Sequence, residues 1–249
     1  LYYAAPASGA EVASPPGTGG WQYETVPITP TGLQSAALLL DEQDQAIIAF
    51  AGQGKLWLTR QVSTTGGYTW TLEAIGSFTN SWELGNLDLQ HGSDGQLHLA
   101  YTYDNALYYT THSGGAWVSA TQVITSGACN LNYNSSTYGF SLALDQNNVP
   151  HVACTRGGSW PYQVRLYTYS ADTPWATYDV ITPISPPAYP SLIYQGGTPH
   201  LSFFEGNRGI NYAVKDGTWQ VTRLHTVGSS NMQSGSIVNV NGGRVGVAY

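Results

Sequence analysis

Apolar and polar residues are grouped along this chain in short runs of strand length, cut by Gly, Pro, Asn and Asp, and no stretch rich in Ala, Glu, Lys and Leu suggests a helix. The runs recur in a fixed order. A first strand is predicted over Ala37 to Asp41, Leu87 to Gln90, Leu142 to Asp145, Leu192 to Tyr194 and Ile237 to Val240. Each leads into a turn such as Asp145-Gln146-Asn147-Asn148 or Asn241-Gly242-Gly243. A second strand follows: Ile47 to Phe50, Leu97 to Tyr101, Pro150 to Cys154, Pro199 to Phe203 and Val245 to Tyr249. A third reads Leu56-Trp57-Leu58-Thr59, Leu107-Tyr108-Tyr109-Thr110, Leu166-Tyr167-Thr168-Tyr169, Ile210-Asn211-Tyr212-Ala213 and Leu1-Tyr2-Tyr3-Ala4. The fourth opens on a tryptophan: Trp21, Trp70, Trp117, Trp175 or Trp219.

These five tryptophans stand 49, 47, 58 and 44 residues apart, and the path from Trp219 through the C-terminus to Trp21 adds 51. Four short strands in a repeat of about 50 residues match a propeller blade rather than a sandwich. The pattern therefore predicts one all-β domain over residues 1–249, a five-bladed β-propeller with four antiparallel strands per blade. Its blades are placed at about 35–76, 86–125, 140–182 and 190–227, and the last joins 236–249 to 1–28. Strands ending at Tyr249 and beginning at Leu1 would pair within that blade and close the ring. An open solenoid would need atypical end repeats instead.

Composition narrows the partners. Only 9% of residues are charged, 12% are aromatic, and the net charge is −7 with eight Lys plus Arg spread thinly, so a phosphate-backbone partner is not expected. No apolar run approaches the roughly 20 residues of a membrane span, and no membrane insertion is expected. The sequence opens at Leu1 without Met, as a processed form or fragment would. Low Lys, abundant Thr, Asn and Tyr, and the sequon Asn134-Ser135-Ser136, a candidate glycosylation site, fit a secreted protein. Cys129 and Cys154 fall near one end of neighbouring strands, which favours a disulfide over two thiols, and no His stands at ligand spacing to suggest a metal. No cofactor is expected.

Residues Ser141 to Ile181 read S-L-x-L-D-x-x-x-x-P-H-V-A, then L-Y-T-Y, then W…V-I, and resemble BNR/Asp-box-like propeller repeats. The turns Ser113-Gly114-Gly115-Ala116-Trp117 and Lys215-Asp216-Gly217-Thr218-Trp219 look like decayed Asp-boxes, none keeping the full S-x-D-x-G-x-x-W form. In blade number the chain is similar to tachylectin-type five-bladed lectins. The resemblance implies a fold shared by sialidases, polysaccharide-degrading enzymes and lectins, and the fold leaves the choice among them open.

Loops joining strands two and three, and those joining the fourth strand to the next blade, should share one end of the ring. They carry the unevenly placed residues Trp82, Asp104, Tyr133, Tyr138, Arg156, Trp160, Glu205 and Arg208. Polar groups beside exposed aromatic rings suit a glycan or polysaccharide, whose hydroxyls need paired donors and acceptors and whose C–H faces lie on rings. Aromatic cover for loop cores and solvated charge pairs is the alternative for any one of them. A hydrolase or lyase would need paired carboxylates, for which only Glu83, Asp104 and Glu205 are placed centrally, and Arg156 with Arg208 falls short of a sialidase arginine cluster. Binding is thus favoured over catalysis, with a structural subunit that self-associates through its terminal strands as a third reading. His98, His151 and His200 share one repeat position and are expected to be hydrogen-bonded core residues, and the repeated tryptophans to be blade packing.

Overall fold

The computed structural model describes residues 2–6, 21–26, 32–65, 67–79, 84–125, 128–129, 131, 139–156, 161–175, 177–183, 185–206, 208–226, 235–240 and 244–248. All regular structure among them is β. The first complete sheet runs β3 (Leu33–Leu40), β4 (Ala46–Gly52), β5 (Lys55–Thr64) and β6 (Gly67–Ser77), each antiparallel to the next. The second is β7 (Leu87–His91), β8 (Leu97–Tyr103), β9 (Ala106–Ser113) and β10 (Ala116–Trp117), with β11 (Thr121–Ile124) also paired to β9. The third holds β12 (Phe140–Leu144), β13 (Pro150–Arg156), β14 (Gln163–Thr168) and β15 (Thr177–Ile181). The fourth holds β16 (Pro187–Gln195), β17 (Thr198–Glu205), β18 (Gly209–Asp216) and β19 (Thr218–His225). The first sheet spans 33–77 and the fourth 187–225, starting two and three residues before the blade bounds expected from the sequence, while the second and third lie inside 86–125 and 140–182.

The fifth unit differs from expectation among the described residues. The strands β1 (Tyr2–Pro6) and β2 (Trp21–Thr25) form one two-stranded sheet, and β20 (Ser236–Val240) and β21 (Arg244–Ala248) form another. Both hairpins are in the predicted register order, but β21 carries no pairing to β1. Trp175 also departs from the pattern. It precedes β15 rather than opening it, with φ 58°, and lies buried.

Sheets stack through their faces because alternate residues of each strand point to opposite neighbours. Ile47, Ala49, Leu56 and Leu58 of the first complete sheet meet Leu89, Leu97 and Leu99 of the second. Ala100, Leu107 and Tyr109 of the second meet Leu142, Val152 and Cys154 of the third. Ala153, Val164 and Leu166 of the third meet Leu192, Leu201 and Phe203 of the fourth. The outer tryptophans follow the same rule: Trp117, Trp175 and Trp219 pack into these three cores, each reaching back towards the preceding sheet, and Trp70 packs with Val26, Ile48 and Phe50.

A second repeated contact joins the innermost strands. Asp88 Oδ2 accepts a hydrogen bond from Leu142 N at 2.7 Å, Ser141 Oγ from Leu192 N at 3.1 Å, and Ser191 Oγ from Ile237 N at 3.1 Å. Asp88, Ser141 and Ser191 hold one register position, each opposite a small residue of the second strand. The latch therefore satisfies an inner-strand N–H that would otherwise be buried without a partner.

Asp88 is the ionisable member of this series. Burial pushes its carboxyl up from the ordinary 3.8 to about 6, against the opposing hydrogen bonds from Leu142 and Gln90. The folded protein then keeps a proton that the unfolded chain has lost, so this group's contribution is full below about pH 4 and is lost as pH rises through about 6. Asp88→Asn keeps an oxygen for Leu142 N and removes the titration. Urea midpoints from pH 4 to 7 should fall less steeply in the variant, by up to about 3 kcal/mol over the range; parallel curves would contradict this.

Candidate functional site

Loops at the end reached by the second-to-third-strand turns are built on tight hairpins. Asp104 and Asn105 both have left-handed φ, 50° and 55°, and form the two-residue link between paired Tyr103 and Ala106. Short polar side chains tolerate that conformation, which matches the twist of the flanking strands. Asp104 is exposed at the tip. Arg156 ends β13 opposite Gln163 and is half-buried, as is Arg208, whose N–H closes a turn onto Glu205 O. Trp82, Tyr133, Asn134, Tyr138 and Trp160 lie outside the described residues.

Glu205 is placed differently from its loop neighbours. Its side chain is buried, with Oε1 accepting from Ser185 N at 3.0 Å and Oε2 from Asn211 Nδ2 at 3.2 Å and Arg223 at 2.6 Å. The carboxylate thus ties the segment entering β16 to β18 and β19. A buried charge is tolerable only when so compensated.

Cys129 and Cys154 are disulfide-bonded, with Cα atoms 6.1 Å apart. The bond fastens the connection between the second and third complete sheets to the end of β13. Arg165, which sequence reasoning passed over, reinforces it: buried on β14, it donates to Ala128 O at 2.9 Å and to Gln163, and its guanidinium lies over the Tyr178 ring. No sequence signal separated this arginine from a surface charge, because its partners come from three different segments.

The structure adds a site at the opposite end of the sheets. A cleft of about 390 Å³ opens between the second and third complete sheets, where the first-to-second-strand turns lie. His98 lines it near the start of β8 and Asp104 follows the other end of that strand, roughly 20 Å away at 3.3 Å per residue. His98 and Tyr109 form one part of the lining, joined by a 2.6 Å hydrogen bond between Nδ1 and the phenol oxygen. Asp94 and Gln96 stand beside them, Thr110, Thr111, Ser119 and Thr121 supply hydroxyls, and Asn147 to Pro150 with Tyr169 come from the next sheet. Asn148 Oδ1 spans the two sheets, accepting from Ser93 N at 2.9 Å and Ser93 Oγ at 3.0 Å.

The histidine column explains why the cleft is open here. Burial lowers the pKa of His98, with Asp94 partly opposing, and raises that of Tyr109, so both are neutral near pH 7. His98 Nε2 is buried and has no hydrogen-bond partner. One sheet further on, Tyr194 stacks on His151 at a centroid distance of 4.3 Å, and the two bond at 3.0 Å. Tyr194 is opposite Pro199; the residue opposite Pro150 is the shorter Leu144. One boundary earlier, the column holds Ile47 inside an apolar core. His98 and His151 are hydrogen-bonded interior residues, as their repeat position predicts, whereas His200, bonded to Tyr212 at 2.6 Å, is only half-buried.

No protein-family profile matches the chain. No curated protein matches it in sequence. Solved structures do match in shape. An arginine-to-alanine triple mutant of AofleA from Arthrobotrys oligospora is similar with a TM-score of 0.62 and 14% identity, over 92% of this chain and 69% of that one. Aleuria aurantia lectin in complex with Fucα1-6GlcNAc has a TM-score of 0.56 and 15% identity, over 82% and 67%. The GH93 α-L-arabinofuranosidase of Fusarium graminearum, complexed with arabinobiose, has a TM-score of 0.51 and 13% identity, over 89% and 73%. At such identities the likeness concerns architecture. It is that of the β-propellers, in agreement with the four-stranded antiparallel sheets of this all-β chain.

Glu205→Ala would leave Arg223, Asn211 and Ser185 N without their shared acceptor. We expect a loss of about 3 kcal/mol in urea unfolding, in line with breaking a buried charge pair. A loss under about 0.5 kcal/mol would mean that the network carries no load.

Proposed function

We propose that this chain is a secreted carbohydrate-binding β-propeller, a lectin or adhesin module, and that its five four-strand units close into one ring. The observation that carries the reading is a cleft where hydroxyls, amides, a carboxylate and two tyrosines converge around an interior histidine. Sugar recognition needs that combination of paired polar groups and ring faces. The likeness in fold to a lectin that binds a fucoside supports it. The disulfide supports an oxidising, extracellular location. A second candidate surface is the loop end bearing Asp104, Arg156 and Arg208, to which the repeat pattern of the sequence also assigns Trp82, Tyr133, Tyr138 and Trp160, all outside the described residues. Catalysis is disfavoured because the Glu205 carboxylate is engaged by three donors, while Asp104 sits on a hairpin tip.

Closure is supported by the latch series. Ser236 is opposite Ala248, the register position of Ser141 and Ser191, and precedes Ile237 as they precede Leu142 and Leu192. The matching donor in the first complete sheet is Leu38 N, since Ala37 pairs with Ala49. In a closed ring Ser236 Oγ accepts from Leu38 N, and Leu38 and Leu40, exposed to 54% and 49%, turn towards the terminal hairpins. Ser236→Ala should then destabilise the protein by about 1 kcal/mol, the same loss expected for Ser141→Ala and Ser191→Ala. A neutral Ser236→Ala beside two destabilising ones would argue for an open ring.

Binding to a broad glycan array should persist in EDTA, with the protein monomeric by light scattering. An array with no bound glycan would sink the carbohydrate reading, and concentration-dependent filaments would favour a structural subunit whose terminal strands pair between copies.

A further inference from the structure

The cleft's own chemistry narrows what it holds, on the reading that the protein binds carbohydrate. Its lining contains neither Lys nor Arg. Asp94 is the one charged residue there, and it caps its own turn by accepting from Gln96 N at 3.1 Å. A uronic acid, sialic acid or sulfated sugar would bring a second anion beside that carboxylate with no cation to offset it, which is costly at a partly desolvated site. Neutral hydroxyls fit instead. The lining presents both acceptors and donors, and His98 keeps a buried Nε2 without a protein partner. The volume, about 390 Å³, lies at the small end of ligand sites and admits a sugar unit or two rather than a long chain.

The repeat also fixes how many such sites there are among the described boundaries. Tyr194 covers His151 where the next cleft would open, and Ile47 is enclosed by Leu89 and Leu97 at the boundary before. We infer that the cleft between the second and third complete sheets binds one neutral pyranose unit per chain, with Tyr169 offering a ring face and Asn147 and the surrounding threonines reading hydroxyls. Binding there is monovalent, unlike a propeller that repeats one pocket between all its blades.

The test uses the full chain and the strongest glycan hit from the array, titrated by calorimetry. A neutral glycan with one site per chain is expected. Ser119→Trp, which fills the cleft from its exposed rim, should weaken binding by at least about tenfold, and the milder Asn147→Ala by about threefold to tenfold, while Tyr68→Ala, exposed on β6 of the first complete sheet, leaves it unchanged. Circular dichroism on each variant checks the fold, and Asn147→Ala decides the matter if Ser119→Trp does not fold. Tight binding that survives both cleft substitutions overturns this site but leaves the carbohydrate reading standing. Hits confined to acidic glycans, or several equivalent sites per chain, also overturn it. No glycan binding at all removes the broader reading with it.

Discussion

From the second complete sheet onward, each sheet is held to the next through its innermost strand, where an Asp or Ser side chain accepts a backbone N–H from its neighbour and alternate apolar residues close the space behind; Ala37 holds that position in the first sheet, whose join to the second rests on the apolar residues between them. A single four-stranded sheet has two faces to bury and no partner within itself, so its stability comes from being sandwiched between two others. The latch adds direction to that requirement. It aligns each first strand with the one before, and the tryptophans of the outer strands then pack backwards onto the preceding sheet.

That dependence locates the candidate site. Where the boundary is filled, as by Tyr194 on His151 or by Ile47 among leucines, the sheet ends are closed. Where Leu144 holds the position taken elsewhere by a tyrosine ring, the boundary parts into a cleft lined from both sheets. Asn148 bridges to Ser93 across the same boundary, so the opening occurs in a seam that remains tied. At the other end, the disulfide, Arg165 and Glu205 spend their interactions on fastening connections to strands. One end of the stack is thus braced by charge and sulfur, and the other leaves a polar space.

Much of the architecture was legible from residue order because a strand's alternation and its turn residues act locally. The complete sheets, the Asp104-Asn105 hairpin, the disulfide and the interior histidines all follow from such local signals. The cleft did not. Its walls are residues from two units some fifty positions apart, brought together only when the sheets pack. The surroundings of Glu205 were hidden for a related reason: Ser185, Asn211 and Arg223 arrive from three other segments to enclose its carboxylate.

Residue order alone determined the strand content, the repeat and the residues available to each blade, because those depend on period and turn chemistry over a few positions. Tertiary structure decided which faces met, which carboxylates were consumed by partners and where the stack stayed open. Those outcomes depend on distances between segments far apart in the chain, and a repeat whose strand pattern recurs from sheet to sheet does not record which of its seams is left unfilled.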